Sequence, residues 1–419
     1  MAVRKIGLSL GADVCWPGCF EEIVKRLRLD LPGLPGSAEE QVQFEVERVR
    51  VTPYDIRYKP KYDMVLDRIS HWFPMTREWV KKIQIMDKVY VLNNPWMIQA
   101  AEKHTTYCAM ARLGFPVPPT WIIPPKEYAD VGDQHYTVRA YNDLFRLSEI
   151  GDAVGYPAFL KPYDGGAWRG VSRVKDHASL GKSYDESAQQ IMHLQQAVDP
   201  WDIFVRGIGI GPQVNVMKYN PDAPLHARYE IAFNFLNGEE WLTQTRYVRV
   251  INAFFNWDYN SCESLRKNGT LFPIDFANAC PDSQITSLHY HFPWMVRSLI
   301  KWSLFCAYTK RQPILLPNWH PYFEIADQDL PFAEKLEKYD ALARQHFDTE
   351  RFEAFCAEHL PHIDEVCLEF FGTQKCKEIF RKKVGNLYPK HEIDEFTDRF
   401  FGQVQFWRKT EADRLGVSL

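Results

Sequence analysis

The chain has 419 residues, 46% of them hydrophobic and 25% charged, enough to bury a large interior and too many for one ordinary core, so two or three domains are expected. A formal net charge of −4, without a block of like charges, gives no basic face to suggest nucleic acid, and no stretch approaches the roughly 20 apolar residues of a membrane helix, so neither partner is expected. Nine scattered cysteines with no CxxC pair fit a reducing, cytoplasmic compartment better than a disulfide framework or a zinc site.

Arg4 and Lys5 precede a short apolar piece, but Asp13, Glu21 and Glu22 follow it, so residues 5–10 (KIGLSL) read as a first strand rather than a secretion signal. Residues 20–29 carry apolar side chains at helical spacing, and residues 31–37, with two prolines and two glycines, read as loop. Residues 44–51 and 64–69 read as further strands. Strands alternating with a helical pattern argue for a parallel α/β unit, whose ligands gather at the carboxyl ends of its strands. Arg68 sits at such an end in YDMVLDRIS and is a candidate for holding a substrate carboxylate; the alternative is a surface ion pair. Residues 89–92 form another short strand. Residues 95–113 read as one helix containing Lys103 and stopped by Gly114, and the prolines at 116, 118 and 119 lead into a strand at 120–123. A helix is expected around residues 143–150.

Residues 156–171, YPAFLKPYDGGAWRGV, place Lys161 at a strand end and a glycine-containing loop directly after it. Gly165 and Gly166 let the backbone approach a ligand and turn its N–H groups toward an anion, while Lys161 adds a point charge. This is neither GxxxxGK[ST] nor GxGxxG. The alternative is a hairpin tip with a solvated lysine.

Further on, residues 188–194 read as helix and 195–198 as an extended exit from it. Residues 203–208 and 213–219 read as strands joined through Gly-Ile-Gly. Residues 228–235 and 241–251 read as a strand pair turned by Asn237-Gly238. In NWDYNSCESLRKNGTLFPIDFANACPDSQ, two arms flank Lys267-Asn268-Gly269. A three-residue loop puts Glu263 and Asp275 on one face, whereas a two-residue loop puts them on opposite faces. Two carboxylates on one face with Asn278 close behind make a hard oxygen site of the kind Mg²⁺ shares with phosphates. The alternative is a pair of solvated carboxylates, against which stand the apolar neighbours Leu271, Phe272, Ile274 and Phe276. From His289 onward the chain reads as helices rich in aromatic, Glu and Lys residues, an extension that packs on the core or is compatible with a homodimer.

Taken in order, YDMVLDRIS, VLNNPWMIQAAEKHTTYCAMARLGFPVPPTWI, KPYDGGAWRGV, a Gln-Gln hinge, DIFVRGIGIGPQVNVMKY and the hairpin ending IDFANACPD resemble the ATP-grasp superfamily, in particular the branch of glutathione synthetase and the ribosomal-protein glutamate ligase. The resemblance covers roughly residues 1–290. It implies an α+β architecture: a pre-ATP-grasp α/β domain over residues 1–98, an ATP-grasp nucleotide-binding domain over 99–290 whose two subdomains divide near 198, and a helical extension over 291–419. By position, Lys103 and Lys161 resemble the family's phosphate-contacting lysines, and residues 164–171, with Gly165 and Gly166, the mobile loop over the phosphates. Gln195, Gln196 and Val198 resemble the adenine-reading hinge, Asp202 the ribose-binding acid and Lys218 the basic residue near the γ-phosphate. Glu263, Asp275 and Asn278 resemble the magnesium ligands. Two departures stand out: the family's Glu-x-Asn is here Asp275-x-x-Asn278, which requires a bulge, and Ala167-Trp168 replaces an expected glycine.

The resemblance implies ATP and Mg²⁺ as cofactors and a carboxylate-amine ligase that activates a small-molecule or peptide carboxylate as an acyl phosphate for attack by an amine. Such chemistry needs phosphate charge neutralised and water excluded. Arg246 and Arg249 in TRYVRVI are candidates for holding substrate or steadying the tetrahedral intermediate. Three residues apart on a strand, they face opposite ways, so one reaches the cleft unless a bulge intervenes; the alternative for each is a cross-strand ion pair. Competing readings are a non-catalytic ATP-binding protein, a phosphotransferase on the same fold, and a scaffold built on the aromatic helices.

Overall fold

Near-continuous apolar strands near the N-terminus can be buried on both faces, and a parallel sheet is where such strands go. The computed structural model describes residues 2–100, 102–129, 132, 136, 144–164 and 169–419. Its first sheet contains β1 (Ala2–Ser9), β2 (Asp30–Pro32), β3 (Gln41–Arg48), β4 (Met64–Asp67) and β5 (Tyr90–Leu92) in the order β2-β3-β1-β4-β5. β3, β1, β4 and β5 run parallel, and β2 joins the edge antiparallel. β2 overlaps the start of the stretch 31–37 expected to be loop, and its short edge position accommodates Pro32. One side of the sheet receives the helix Trp16–Leu27 through Trp16, Phe20, Ile23 and Val24. The helix Pro74–Asp87 packs Trp79, Val80 and Ile83 with Val49, Val51, Tyr54 and Tyr62 of the β3–β4 crossover.

The second sheet is antiparallel, with β6 (Thr120–Ile123), β7 (Ala158–Pro162), β8 (Ser172–Val174) and β9 (Met192–Gln196) in the order β6-β9-β7-β8. The helices Leu147–Val154 and His177–Glu186 complete its separate core around Ile150, Leu160, Leu180 and Leu194. Residues 188–194, expected to be helical, instead contribute to strand β9. The helix is the preceding, more polar HASLGKSYDE, started by Asp176, whose carboxylate accepts from the Ser179 N–H at 2.8 Å.

The third sheet is also antiparallel: β10 (Ile203–Ile210), β11 (Gln213–Tyr219), β12 (Tyr229–Glu230), β13 (Tyr259–Lys267) and β14 (Thr270–Asp275), in the order β12-β11-β10-β13-β14. The helix Gly238–Phe254 lies across it. Gly-Ile-Gly does not join two strands; it is the interior of β10, and its glycines admit that helix. A Cβ at Gly207 would come within 2.4 Å of Val248, and one at Gly209 within 2.4 Å of Asn252.

This helix overturns the strand pair expected around Asn237-Gly238. Asn237 is its N-cap: its side chain accepts from the Glu240 N–H at 2.9 Å while Glu240 accepts from the Asn237 N–H at 3.0 Å. Alternating TQTRYVRVI mimics a strand, but the capping box and the sheet beneath favour helix. Replacing Asn237 by alanine is expected to lower stability by about 1 kcal/mol in urea melts. The single helix expected over residues 95–113 is also two, Pro95–Ala100 and Lys103–Arg112, which puts Lys103 at the start of the second.

The helix Phe292–Tyr308 is buried along nearly its whole length, and one apolar core runs from Leu8 and Phe20 through Ile208 and Val248 to Phe305, Phe380 and Trp407. The C-terminal helices therefore share the interior of the first and third sheets. A buried polar joint ties them together: Asp258 accepts from the Tyr90 hydroxyl at 2.7 Å and from the Trp302 indole at 2.9 Å. Burial pushes the Asp258 carboxyl up to about 6, against the pull of Arg311. No helix among the described residues is long and apolar enough to cross a membrane.

Candidate functional site

The site begins at a turn. Lys267 pairs with Thr270, and Asn268 and Gly269 both have positive φ, so the β13–β14 loop has two residues rather than the three that would bring Glu263 and Asp275 together. A β-bulge restores the alignment: Ser264 pairs with Pro273, but Glu263 pairs with Asp275, leaving Ile274 as the extra residue. The carboxylates thus share a face by a route the turn alone would forbid. The Ile274 carbonyl accepts from the Tyr107 hydroxyl at 2.8 Å and from the Lys161 ammonium at 3.3 Å.

Three elements converge on this hairpin. The helix Lys103–Arg112 brings Lys103 within 3.0 Å of the Asp275 carboxylate and supplies Tyr107. β7 brings Lys161, which donates to the Tyr107 hydroxyl at 2.7 Å and to Gln195 Oε1 at 2.8 Å. β10 brings Arg206, which pairs with Glu263 at 2.5 Å and donates to the Tyr229 hydroxyl at 2.7 Å. Its guanidinium also lies over the rings of Tyr219 and Tyr229.

These contacts set the charges. Burial pulls the Lys161 ammonium down to about 8, with repulsion from Lys103 adding to the effect and Asp275 and Glu263 opposing it. Burial also works against the charge of Lys103, but Asp275 prevails and holds it above the usual value. Desolvation would push Asp275 up, yet Lys103, Lys161 and Arg206 together hold it below the ordinary carboxylate range. Glu263 lies above that range because burial and the neighbouring Asp275 outweigh Arg206.

Asn278 lies alongside. Its side-chain amide donates to Ser261 Oγ at 2.8 Å, and its backbone N–H donates to Asn260 Oδ1 at 2.9 Å. Ser261 precedes Glu263 by two residues on β13 and so shares its face. No group of three or more His, Cys, Asp and Glu among the described residues is arranged to hold a metal by itself. A facing Glu–Asp pair with an amide beside it does fit Mg²⁺, which takes one or two protein carboxylates and completes its shell with phosphate oxygens and water.

The remaining expected residues distribute differently. Gln195 is buried and positions Lys161, its amide also donating to Thr120 Oγ1 at 2.7 Å. Gln196 is exposed, with its backbone N–H bonded to the Pro119 carbonyl, and Val198 is buried. Asp202 is gripped by Arg266 at 3.0 and 2.8 Å, a contact that holds its carboxyl below the usual range. Lys218 is in the row of Val205 and Ser264, the opposite sheet face from Glu263, and pairs with Glu230 at 2.8 Å. Gly165 and Gly166 lie outside the described residues.

Arg246 and Arg249 require correction. They are on a helix, where residues three apart are neighbours, and both point toward the helix Phe332–His346. Arg246 pairs with Glu337 at 3.1 Å and Arg249 with Asp340 at 2.6 Å, so neither reaches the cleft. Arg68 does stand at the carboxyl end of β4, but buried: it faces Asp13 at 3.4 Å and donates to the Pro281 carbonyl at 2.8 Å, leaving Nη1 without a partner among the described residues.

The site contains groups that pattern reading passed over. Arg206 carried a usable signal, because a lone arginine inside the apolar run IFVRGIGI must be paired if that strand is buried. Tyr107 and His193 carried none. His193 is the cross-strand partner of Lys161, fully buried and stacked on His104 at 5.2 Å. Burial, helped by Lys161, takes its imidazole down to about 3, so it stays neutral.

No protein-family model matches the chain, and no curated protein matches it. Among solved structures, a RimK domain ATP-grasp protein from Sphaerobacter thermophilus is similar at 11% identity and TM-score 0.49, covering 72% of this chain and 100% of that one. D-alanine–D-alanine ligase from Bacillus anthracis, complexed with ATP, is similar at 12% identity and TM-score 0.48, covering 74% and 99%. VanG D-Ala:D-Ser ligase from Enterococcus faecalis is similar at 11% identity and TM-score 0.46, covering 81% and 99%. Likeness at this level assigns no role to any residue.

Proposed function

We propose that the chain is an ATP- and Mg²⁺-dependent carboxylate-amine ligase of the ATP-grasp kind. The observation that supports this most is the meeting of Lys103, Lys161, Glu263 and Asp275, from a helix, β7 and the two strands of the β13–β14 hairpin, where the second and third sheets touch. In this reading Lys103 and Lys161 grip the phosphates. Glu263, Asp275 and Asn278 would hold Mg²⁺, and Lys103, which bonds Asp275 here, would stand beside the phosphates. Tyr107 and Gln195 aim the Lys161 ammonium, and Arg206 keeps Glu263 paired within the protein. Arg68, whose buried Nη1 has no partner among the described residues, is the candidate for the carboxylate substrate if the Pro281 segment moves aside. MgATP, when bound, supplies the phosphoryl group that turns a carboxylate into an acyl phosphate an amine can attack.

The test is phosphate and ADP release by purified protein given MgATP with pools of amino acids, short peptides and amines. Stoichiometric ADP and phosphate that require both a carboxylate and an amine support the reading. ADP with a stable phosphorylated product makes it a phosphotransferase. The existing Lys103–Asp275 pair favours one other reading, a nucleotide-binding protein without turnover. Calorimetric ATP binding that survives Asp275→Ala, with no ADP formed from any pool, would establish that reading instead.

A further inference from the structure

Residues 50–88 contain nine Lys or Arg against five Asp or Glu, a balance of +4 within a chain whose total is −4. The same stretch exposes large apolar side chains in unusual density. Trp72 and Phe73 are 60% and 58% exposed, Ile85 and Met86 are each 55% exposed, and Ile56, Tyr58 and Met75 are also exposed.

These residues form one surface. The Lys82 ammonium bonds the Tyr58 carbonyl and lies over its ring, joining the β3–β4 crossover to the helix Pro74–Asp87. On that helix Met75 and Met86 are eleven residues apart, three turns, so they share a stripe away from buried Val80 and Ile83, with Lys82 beneath them held by Asp87 at 2.7 Å. Trp72 and Phe73 form the turn leading into the helix, both backbone N–H groups bonded to the Ile69 carbonyl, so the aromatic tip is already ordered. Between crossover and helix lies a cavity of about 440 Å³ lined by Arg50, Tyr54, Asp55, Tyr58 and Lys61, the last paired with Glu47.

We infer that this face docks on an anionic phospholipid surface. Trp and Phe on an ordered tip, aliphatic side chains along a helix stripe and cations around them are what an interfacial contact with acidic lipid uses. The basic-aromatic cavity opening on the same side has the chemistry for a headgroup phosphate. A second copy of the chain fits poorly, because a two-fold contact would set two positive faces against each other. Nucleic acid leaves the exposed Ile85 and Met86 without a role. Surface docking needs no spanning helix.

The experiment is co-sedimentation of the full chain with vesicles of phosphatidylcholine alone or with about 30% phosphatidylglycerol. Partition onto the acidic vesicles is expected to exceed that onto neutral ones by about tenfold at low salt, and most of the excess is expected to disappear at high salt. The double variant Trp72→Ser/Phe73→Ser, with an unchanged melting temperature, is expected to lose about tenfold in partition. Arg50→Gln/Lys59→Gln, which leaves the aromatic tip intact, is expected to reduce only the acidic-lipid excess. Equal binding to both vesicle types, no binding at low salt, or full binding by the folded aromatic variant overturns the inference. So does sedimentation velocity showing that the aromatic variant loses self-association instead, or polyglutamate binding that needs Trp72 and Phe73 while vesicles do not bind.

Discussion

Replacing Lys161 by methionine is expected to weaken Mg²⁺-dependent ATP binding by about 10- to 100-fold, the range for losing a hydrogen-bonded charge. The contacts of Lys161 are the Tyr107 hydroxyl, Gln195 Oε1 and the Ile274 carbonyl, all neutral, whereas Lys103 is committed to Asp275. A buried ammonium whose three donors meet only neutral acceptors has no carboxylate bonded to it, so an anionic ligand beside it gains from its charge. Because burial lowers its pKa to about 8, its charge fades at mildly alkaline pH.

Without nucleotide, the folded state disfavours the charged form of Lys161 relative to the unfolded chain. Lys161 therefore costs stability at neutral pH, and the cost diminishes as pH rises from about 8 toward 10.5. ATP binding requires the charged form, so affinity changes the other way: it should weaken by up to about tenfold per pH unit above 8 as the ligand must bring a proton with it. Calorimetry at pH 7, 8 and 9 measures this, and the methionine variant should show a flatter profile. A wild-type affinity indifferent to pH over that interval would mean that Lys161 does not touch the phosphates.

Arg206→Met is expected to reduce folding stability by about 3–5 kcal/mol, and Arg206→Met/Glu263→Gln to recover most of the loss. Removing one partner of a buried pair leaves an uncompensated charge, and here the partner left behind already has a pKa above the ordinary range. Glu263 in the single variant should therefore take up a proton as pH falls, so the destabilisation should be larger at pH 8 than at pH 5. Urea melts of the wild type and of the single and double variants at both pH values measure the effect. If Glu263→Gln gives no rescue at pH 8, Arg206 contributes through its stacking on Tyr219 and Tyr229 rather than through the ion pair. Glu263→Gln alone should weaken Mg²⁺ dependence and also lower stability, at pH 5 and pH 8 alike, because the buried Arg206 guanidinium loses its carboxylate and cannot shed its charge.

Arg246 and Arg249 show how local pattern misleads. Alternating β-branched and polar residues over 241–251 have the period of a strand, and Asn-Gly before them is a strong hairpin signal. Yet the same Asn and the Glu three residues later form a capping box, and the glycines of β10 leave room only for something packed close across the sheet. Helix wins because it buries Val248 against the glycines of β10 and Phe254 against Trp319, Tyr322 and Phe323, a gain no short-range pattern records. Residues 188–194 differ for the mirror reason: they can look helical alone, but 188–191 form a turn and Met192 to Leu194 complete a ladder between β6 and β7.

What the chain's one-dimensional order determined was the set of parts: apolar runs for parallel strands, Lys103 and Lys161 in different segments, and a hairpin with two carboxylates whose apolar neighbours forbid full solvation. Those follow from side-chain polarity and the periods of two and 3.6, which are local properties. Convergence was decided only in three dimensions. The Ile274 bulge turned Asp275 to the face of Glu263 despite a two-residue turn, β10 delivered Arg206 beneath them, and the C-terminal helices drew Arg246 and Arg249 away to Glu337 and Asp340. Each of these outcomes depends on a partner far away in the chain, and a charge's role is set by the partner that neutralises it.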